Sequence, residues 1–272
     1  MSVKCILSAY SGDASRGSGL RYALHLAQQR NAWITGVLAH SQSDLERTLR
    51  GRVPKRYLET FFEAEKGKIQ DVSQRFHEIT KEAGLEQRSE FVDLSEENGI
   101  SLSEFARSFD LIVTGTHSYT VDEEHMSANP DLIALQSGRP VLVVPDGYHA
   151  DRLAEHALVA WDGKRSSARA IGDAMSTLEE KAKVTVLTVG TKRIAGTDAL
   201  LRNLERHGIE ANFILMSKGG TIAKTILSVA EEICAKLVVM GAFEHSKFSQ
   251  DVFGGVTTDV INKTDVPVLL SH

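Results

Sequence analysis

Residues 241–258 contain glycines whose position in the sequence could create an anion-binding site. Gly241 follows the apolar run 236–240, which predicts a buried strand. The pair Gly254 and Gly255 directly precedes residues 256–261, which predict a helix. Free backbone N–H groups at a helix start, together with the positive end of the helix dipole, favour an anion at that place. The segment therefore predicts a phosphate-binding loop.

Composition excludes several other classes of function. The chain has 272 residues, 42% of them hydrophobic, and a formal net charge of −5. It has no block of lysines and arginines, so nucleic-acid binding through a basic surface is not expected. It also has no apolar run near the ~20 residues that span a bilayer. Residues 1–7 lack the long apolar core of a signal peptide, so we expect a cytoplasmic protein that does not engage membranes.

Neither the cysteines nor the histidines predict a metal site. Cys5 lies in a strand-like run and Cys234 in a helix-like run, and we expect both to be buried, reduced thiols. No CxxC or Cys/His spacing suggests zinc. One loop carries imidazoles and carboxylates without the fixed spacing of ligands, and we expect it to be a solvated acidic loop. Its residues are His117, Glu123, Glu124 and His125.

Strands and helices alternate along the whole chain. Apolar runs separated by amphipathic segments predict a parallel sheet that is covered on both faces. The predicted strands are 3–9, 32–39, 89–94, 111–114, 140–144, 157–161, 184–189, 211–216, a run starting at 237, and 266–270. The predicted helices are 19–30, a long one ending at 83, 101–108, 132–136, 166–180, 198–207, 221–235 and 256–261.

The two halves of the chain repeat one plan. Residues 110–115 match residues 236–241, and residues 139–144 match residues 266–271. The first half carries extra residues near 41–60, which Pro54 predicts to be a loop or a broken helix. The predicted domains are 1–147 and 153–272, and the short polar link between them is too short to let the domains separate.

With these features the chain resembles the tandem universal stress proteins. The resemblance rests on the duplication, the loop 241–258, and the motifs Val159-Ala-Trp-Asp-Gly163 and Gly138-Arg-Pro-Val-Leu-Val-Val-Pro145. It implies an α/β fold of two adenine-nucleotide alpha-hydrolase-like domains, each a five-stranded parallel sheet of order 3-2-1-4-5. It also implies internal pairing of the domains through their fifth strands, and it is compatible with a homodimer. Some family members bind ATP and others do not.

ATP-binding members have a loop of glycine, two residues, glycine, nine residues, and glycine followed by Ser or Thr. Gly241 and Gly254 fit the first and third glycine positions, whereas Glu244 replaces the second glycine. Glu244 restricts the backbone and brings a carboxylate toward phosphates, which Mg²⁺ could offset. Gly255 stands at the Ser or Thr position, and the hydroxyl of Thr257 could replace the missing one.

The other end of the implied site is Asp162. Ligands of open parallel sheets bind outside the strand ends where the strand order reverses, and Asp162 and Gly241 end the two strands at that point. The resemblance places adenosine near Asp162 and Val189, and phosphates near Gly254. The complete predicted nucleotide site is Ala160, Trp161, Asp162, Val189, Gly241, Glu244, His245, Gly254, Gly255, Val256 and Thr257.

Structural alternatives to this site stay open. The two adjacent glycines could serve only close helix packing, Asp162 could be a helix N-cap, and Trp161 is better explained as a core residue. His245 could be a surface residue. The first half has no glycine between Gly115 and Gly138, so we expect its own loop to be degenerate.

We therefore expect a stress-response binding or switch protein that holds ATP, with or without Mg²⁺, in its second domain. The alternative of a different class is an interaction or scaffold protein with both pockets degenerate. GxSxG, HExxH and GxxxxGK[ST] motifs are absent, so at most slow ATP hydrolysis is expected.

Overall fold

The computed structural model describes residues 3–12, 17–40, 55–95, 100–116, 128–149, 156–181, 183–242 and 255–272. Its strands are β1 Cys5–Ala9, β2 Trp33–His40, β3 Ser89–Ser95, β4 Leu111–Gly115, β5 Val141–Val144, β6 His156–Ala160, β7 Lys183–Val189, β8 Ala211–Met216, β9 Leu237–Gly241 and β10 Val268–Ser271. Its α-helices are α1 Gly17–Arg30, α2 Lys55–Glu82, α3 Leu102–Phe105, α4 Pro130–Gln136, α5 Arg165–Leu178, α6 Thr197–Arg206, α7 Ile222–Glu232 and α8 Val256–Lys263.

These elements confirm the predicted alternation. Strand bounds lie within two residues of those expected from the apolar runs, because a strand buried on both faces requires a continuous apolar run. The helical region expected at 101–108 is the short α3 followed by the 3-10 turn Ala106–Ser108. The inserted residues 41–54 lie outside the described residues, and α2 begins at Lys55.

All ten strands form one sheet, in the order β3-β2-β1-β4-β5-β10-β9-β6-β7-β8. Each half thus has the predicted 3-2-1-4-5 order with parallel neighbours. The halves meet where β5 and β10 pair antiparallel, with Leu142 opposite Leu269. Leu142 and Leu269 are equivalent residues, so this pair lies on a pseudo-twofold axis that relates the halves.

The strand registers confirm the repeat that the sequence suggests. Leu111 pairs with Ile6 of β1 in the first half, and Leu237 pairs with Ala157 of β6 in the second. Two apolar layers cover the two faces of the sheet. One contains buried residues of α1, α2, α5 and α6, and the other contains buried residues of α4, α7 and α8.

Both cysteines are exposed, so the expectation of buried thiols is wrong. Cys5 is the first residue of β1, before the strand enters the core. Cys234 lies past the end of α7 with φ of 52°. That left-handed conformation ends the helix and turns the side chain away from its apolar stripe.

Arg30 connects the ends of α1 and α5 across the two halves. Its guanidinium donates hydrogen bonds to Ser176 Oγ at 3.0 Å, Thr177 Oγ1 at 3.1 Å and Glu180 Oε2 at 2.9 Å. Only 8% of the Arg30 side chain is exposed. Charge-assisted bonds from a buried guanidinium are among the stronger polar contacts in proteins.

We predict that Arg30→Ala lowers the free energy of unfolding by about 2 kcal/mol, because several charge-assisted hydrogen bonds are lost together. The matched control is Arg169→Ala. Arg169 also reaches the other half, by a bond to the Gly138 carbonyl at 3.3 Å, but 52% of its side chain is exposed. We expect the control to cost under about 0.5 kcal/mol. Equal losses in urea unfolding would contradict the role of Arg30.

His156, at the start of β6, is held between two strands and a helix end. Its Nδ1 lies 3.0 Å from the Ile233 carbonyl and its Nε2 2.8 Å from Thr185 Oγ1. Burial lowers the pKa of His156, and the charge of Lys183 lowers this pKa further. The hydrogen bond to Ile233 raises it, but the pKa stays below its ordinary value. The folded protein therefore binds a proton here less readily than the unfolded chain does.

We predict that His156 makes the protein less stable as the pH falls from 7 to 5.5. The unfolded histidine, with an ordinary pKa of about 6.5, gains its proton before the folded one does, and this favours unfolding. The variant His156→Gln should lose less stability over the same range in urea denaturation. Equal losses in the two proteins would show that His156 does not contribute to the pH dependence.

Candidate functional site at the ends of β6 and β9

The crevice predicted from strand order lies where β6 and β9 run side by side. Ala160 pairs with Met240, and Gly241 is the next residue of β9. The chain leaves β6 toward β7 on one side, whereas β10 lies on the other side of β9. The carboxyl ends of these two strands therefore form the point where the strand order reverses, which is the usual ligand crevice of an open parallel sheet.

Gly241 is required at this point by the close approach of α5. A Cβ atom at Gly241 would lie 2.5 Å from both Ser166 Oγ and the Ser167 backbone nitrogen. In the first half the helix and strand are equally close, but there the glycine with no room for a side chain is on the helix. A Cβ atom at Gly19 of α1 would lie 3.1 Å from the Gly115 backbone nitrogen at the end of β4. The helix after the first strand of each half thus packs its first turn on the end of the fourth strand.

Asp162 is exposed and lies in a turn between β6 and α5. One of its oxygens, Oδ1, accepts a hydrogen bond from the Lys164 backbone N–H at 3.0 Å. Helix α5 begins at Arg165, and its N-cap residue is Lys164, which makes no side-chain cap bond. The alternative that Asp162 is the N-cap is therefore wrong. Its carboxylate organises the turn, and its second oxygen, Oδ2, lies 3.8 Å from Lys164 Nζ.

Trp161 and its neighbours face opposite sides of the sheet. The ring of Trp161 packs on the layer that contains α5, and its indole Nε1 is buried without a hydrogen-bond partner. Its backbone N–H donates to the Leu187 carbonyl at 2.8 Å. These contacts confirm the core interpretation of Trp161. Ala160 and Val189 pack on the opposite layer, half-buried at the strand ends.

The start of α8 is open. Gly255, its N-cap residue, has an extended backbone with φ of 161°, and no side chain caps the helix. A Cβ atom at Gly255 would meet no described residue within 4 Å. The described residues therefore give no evidence of close packing at Gly255, and that alternative stays open for the glycine pair. Val256 is half-buried and Thr257 is buried. The predicted site residues Glu244, His245 and Gly254 lie outside the described residues.

The first half has a small cavity at the equivalent place. It has a volume of about 20 Å³, room for about one water molecule and far less than a nucleotide needs. Its lining includes Ala9, Val37, Ala39, Leu102 and Thr114. The expectation that the first half has a degenerate loop stays a prediction, because residues 117–127 lie outside the described residues. The acidic residues 122–124 lie outside the described residues.

The pseudo-twofold axis gives three of these lining residues equivalents in the second half. Strand register makes Ala9 equivalent to Ala160 and Val37 equivalent to Leu187. The helix starts after the N-caps Ser101 and Thr221 make Leu102 equivalent to Ile222. Ile222 is 38% exposed, although its spacing from Ile226 and Val229 is typical of the buried stripe of an amphipathic helix.

The equivalence adds Leu187 and Ile222 to the candidate site, and sequence reasoning had not included either residue. For Ile222 a signal existed, because a large apolar side chain stands directly after a Thr cap, where helices usually present polar residues to solvent. For Leu187 no signal existed, since an apolar residue inside a strand predicts only core.

The amino-acid sequence is similar to those of known proteins. The model of the universal stress protein family matches residues 195–272. A universal stress protein of Synechocystis is 28% identical over 176 residues, which cover 62% of this chain and 60% of that protein. The chain is therefore similar to universal stress proteins, and its residues 195–272 match that family. The matched region thus spans about three fifths of the length of this relative.

Solved structures show the same fold over the whole chain. A universal stress protein of Archaeoglobus fulgidus matches with a TM-score of 0.74 at 18% identity, covering 100% of this chain and 96% of its own. A Pseudomonas aeruginosa protein assigned to the family matches with a TM-score of 0.59 at 16% identity, covering 99% and 93%. Among the described residues, no helix combines the length and apolarity needed to cross a membrane.

We predict that Gly241→Ala destabilises the protein by about 1–3 kcal/mol, because the added methyl group must displace the first turn of α5. The control Gly255→Ser should change stability by less than about 0.5 kcal/mol, since its site is open and Ser is a good N-cap residue. Chemical unfolding of both variants measures the difference. A neutral Gly241→Ala would contradict the close approach.

Proposed function

We propose that this chain is a universal stress protein that binds an adenine nucleotide, ATP with Mg²⁺, in the crevice of its second half and acts as a switch. The observation that carries the proposal is the uncapped, open start of α8 at Gly255. Helix starts with free amides favour phosphate, and Gly255 stands at this start directly after Gly254 in the sequence.

The apolar side of the crevice supports an adenine base. Ala160 and Val189 are half-buried at strand ends, and Ile222 presents a large apolar surface that is 38% exposed. Base-binding pockets are lined mostly by apolar side chains with a few polar groups that fix orientation. The exposed carboxylate of Asp162 supplies such a group, because it can accept hydrogen bonds from ribose hydroxyls.

Glu244 determines how tightly phosphates are held. It replaces a loop glycine, and a carboxylate beside phosphates repels them unless Mg²⁺ lies between. The proposal therefore requires Mg²⁺ for tight binding, and nucleotide without the metal should bind more weakly. A scaffold protein without a nucleotide is the alternative outcome of the experiments below.

We predict that the natively purified protein carries an adenine nucleotide in native mass spectrometry and that millimolar Mg-ATP raises its melting temperature.

Ile222→Glu should weaken ATP binding about tenfold or more, because it removes apolar contact area and adds a charge beside the base. Isothermal titration calorimetry measures the affinity. The matched control is Ile100→Glu, since Ile100 is 47% exposed in the first half and should not affect binding.

The variant Gly255→Ser adds the hydroxyl that ATP-binding members carry, and it should tighten binding about two- to tenfold, the value of one hydrogen bond. No co-purified nucleotide, together with an unchanged melting temperature in Mg-ATP, would overturn the proposed function. Equal effects of Ile222→Glu and Ile100→Glu would show that the nucleotide lies elsewhere.

A further inference from the structure

Strand β8 is the free edge of the sheet in the second half. It is the last strand in the order and pairs with β7 alone among the described strands. The carbonyls of Glu210 and Met216 accept bonds from the Val184 and Gly190 N–H groups, at 3.2 and 2.8 Å. Alternate residues of a parallel strand bond to one neighbour. The N–H and C=O groups of residues 211, 213 and 215 therefore point outward.

The β8 edge lacks the usual protection against pairing. Its sequence Ala-Asn-Phe-Ile-Leu-Met has no charged residue and no proline, and Leu215 is 42% exposed. The opposite edge, β3, carries Glu90 and Asp93. Charged residues on edge strands oppose pairing with other chains, and apolar edges without them favour it.

We propose that β8 pairs antiparallel with β8 of a second copy of this chain, on a twofold axis through Ile214. In this register Phe213 lies opposite Leu215, so the outward-pointing backbone groups of both residues are hydrogen-bonded. Each Leu215 is then covered by the partner's Phe213, an aromatic and aliphatic pair on one face of the joined sheet.

Charge complementarity selects the second copy and this register. Pairing centred on Ile214 brings Glu210 opposite the partner's Lys218, and the twofold axis makes this contact twice. Both residues are exposed and flank the strand. Pairing centred one residue earlier would place Glu210 opposite Met216 and leave both charges without a counterpart. The interface is isologous, so one strand supplies both sides.

Phe213 is prepared for such a contact. The Arg193 guanidinium lies 4.4 Å from the centre of its ring and covers one side. This interaction holds the ring beside the strand, so that less side-chain freedom is lost when Leu215 of the partner packs on it. The proposal names the surface of a homodimer and does not depend on nucleotide binding.

Cross-linking tests the axis directly. In a background with Cys5→Ser and Cys234→Ser, which removes the two exposed thiols, Ile214→Cys should form a disulfide-linked dimer under mild oxidation, because the two copies of residue 214 face each other. The matched control is Asn212→Cys, four residues from its own copy in this register, about 13 Å along a strand. It should give less than a tenth of the dimer. Equal cross-linking of the two variants would overturn the register.

Charge exchange tests the partner. In analytical ultracentrifugation of the full chain, without nucleotide and with Mg-ATP, the protein should dimerise with increasing concentration. Glu210→Lys and Lys218→Glu should each weaken the dimer about tenfold, because both symmetric contacts become repulsive. The double variant should restore wild-type affinity. A protein that stays monomeric at every concentration, or a double variant weaker than either single one, would overturn the proposal.

Discussion

The antiparallel pairing of β5 with β10 is the contact on which the rest of the molecule depends. It joins two five-stranded sheets into one and places Leu142 opposite its own equivalent, Leu269. Both apolar layers then run through the junction, because alternate residues of these two strands enter opposite layers. Arg30 adds a polar contact at one side of the junction. Backbone hydrogen bonds and buried apolar side chains therefore hold the two halves together, as they do within each half.

The two halves differ where their first strands end. In the first half, α2 covers this end: Arg75 donates a hydrogen bond to the Gly12 carbonyl at 2.9 Å, and Val72 occupies the space beside Gly12. In the second half, Ile194 lies beside the equivalent Gly163, and both glycines have positive φ. The same turn is thus supported by a long helix in one half and by a short loop in the other.

Much of the fold could be predicted from the sequence, whereas details of the site could not. Continuous apolar runs predicted the strands, because strands buried on both faces accept few polar residues. The match of residues 110–115 with residues 236–241 predicted which strands of the two halves are equivalent. The exposure of Ile222 goes against its helical spacing, which assigns it to the buried face, and only its place directly after the Thr221 cap indicated otherwise. The close approach of α5 to Gly241 depends on tertiary packing that no local pattern encodes. Glu244, His245 and Gly254 remain predictions.

The pseudo-twofold axis through Leu142 and Leu269 also has an evolutionary meaning. In a dimer of identical subunits, every substitution changes both sites at once, so one pocket cannot close while the other is kept. Joining the subunits in one chain removes this restriction, because each copy is encoded separately. The small cavity beside Ala9 and the start of α8 at Gly255 lie at the strand ends of different halves of one sheet, where such a chain can change one half without the other.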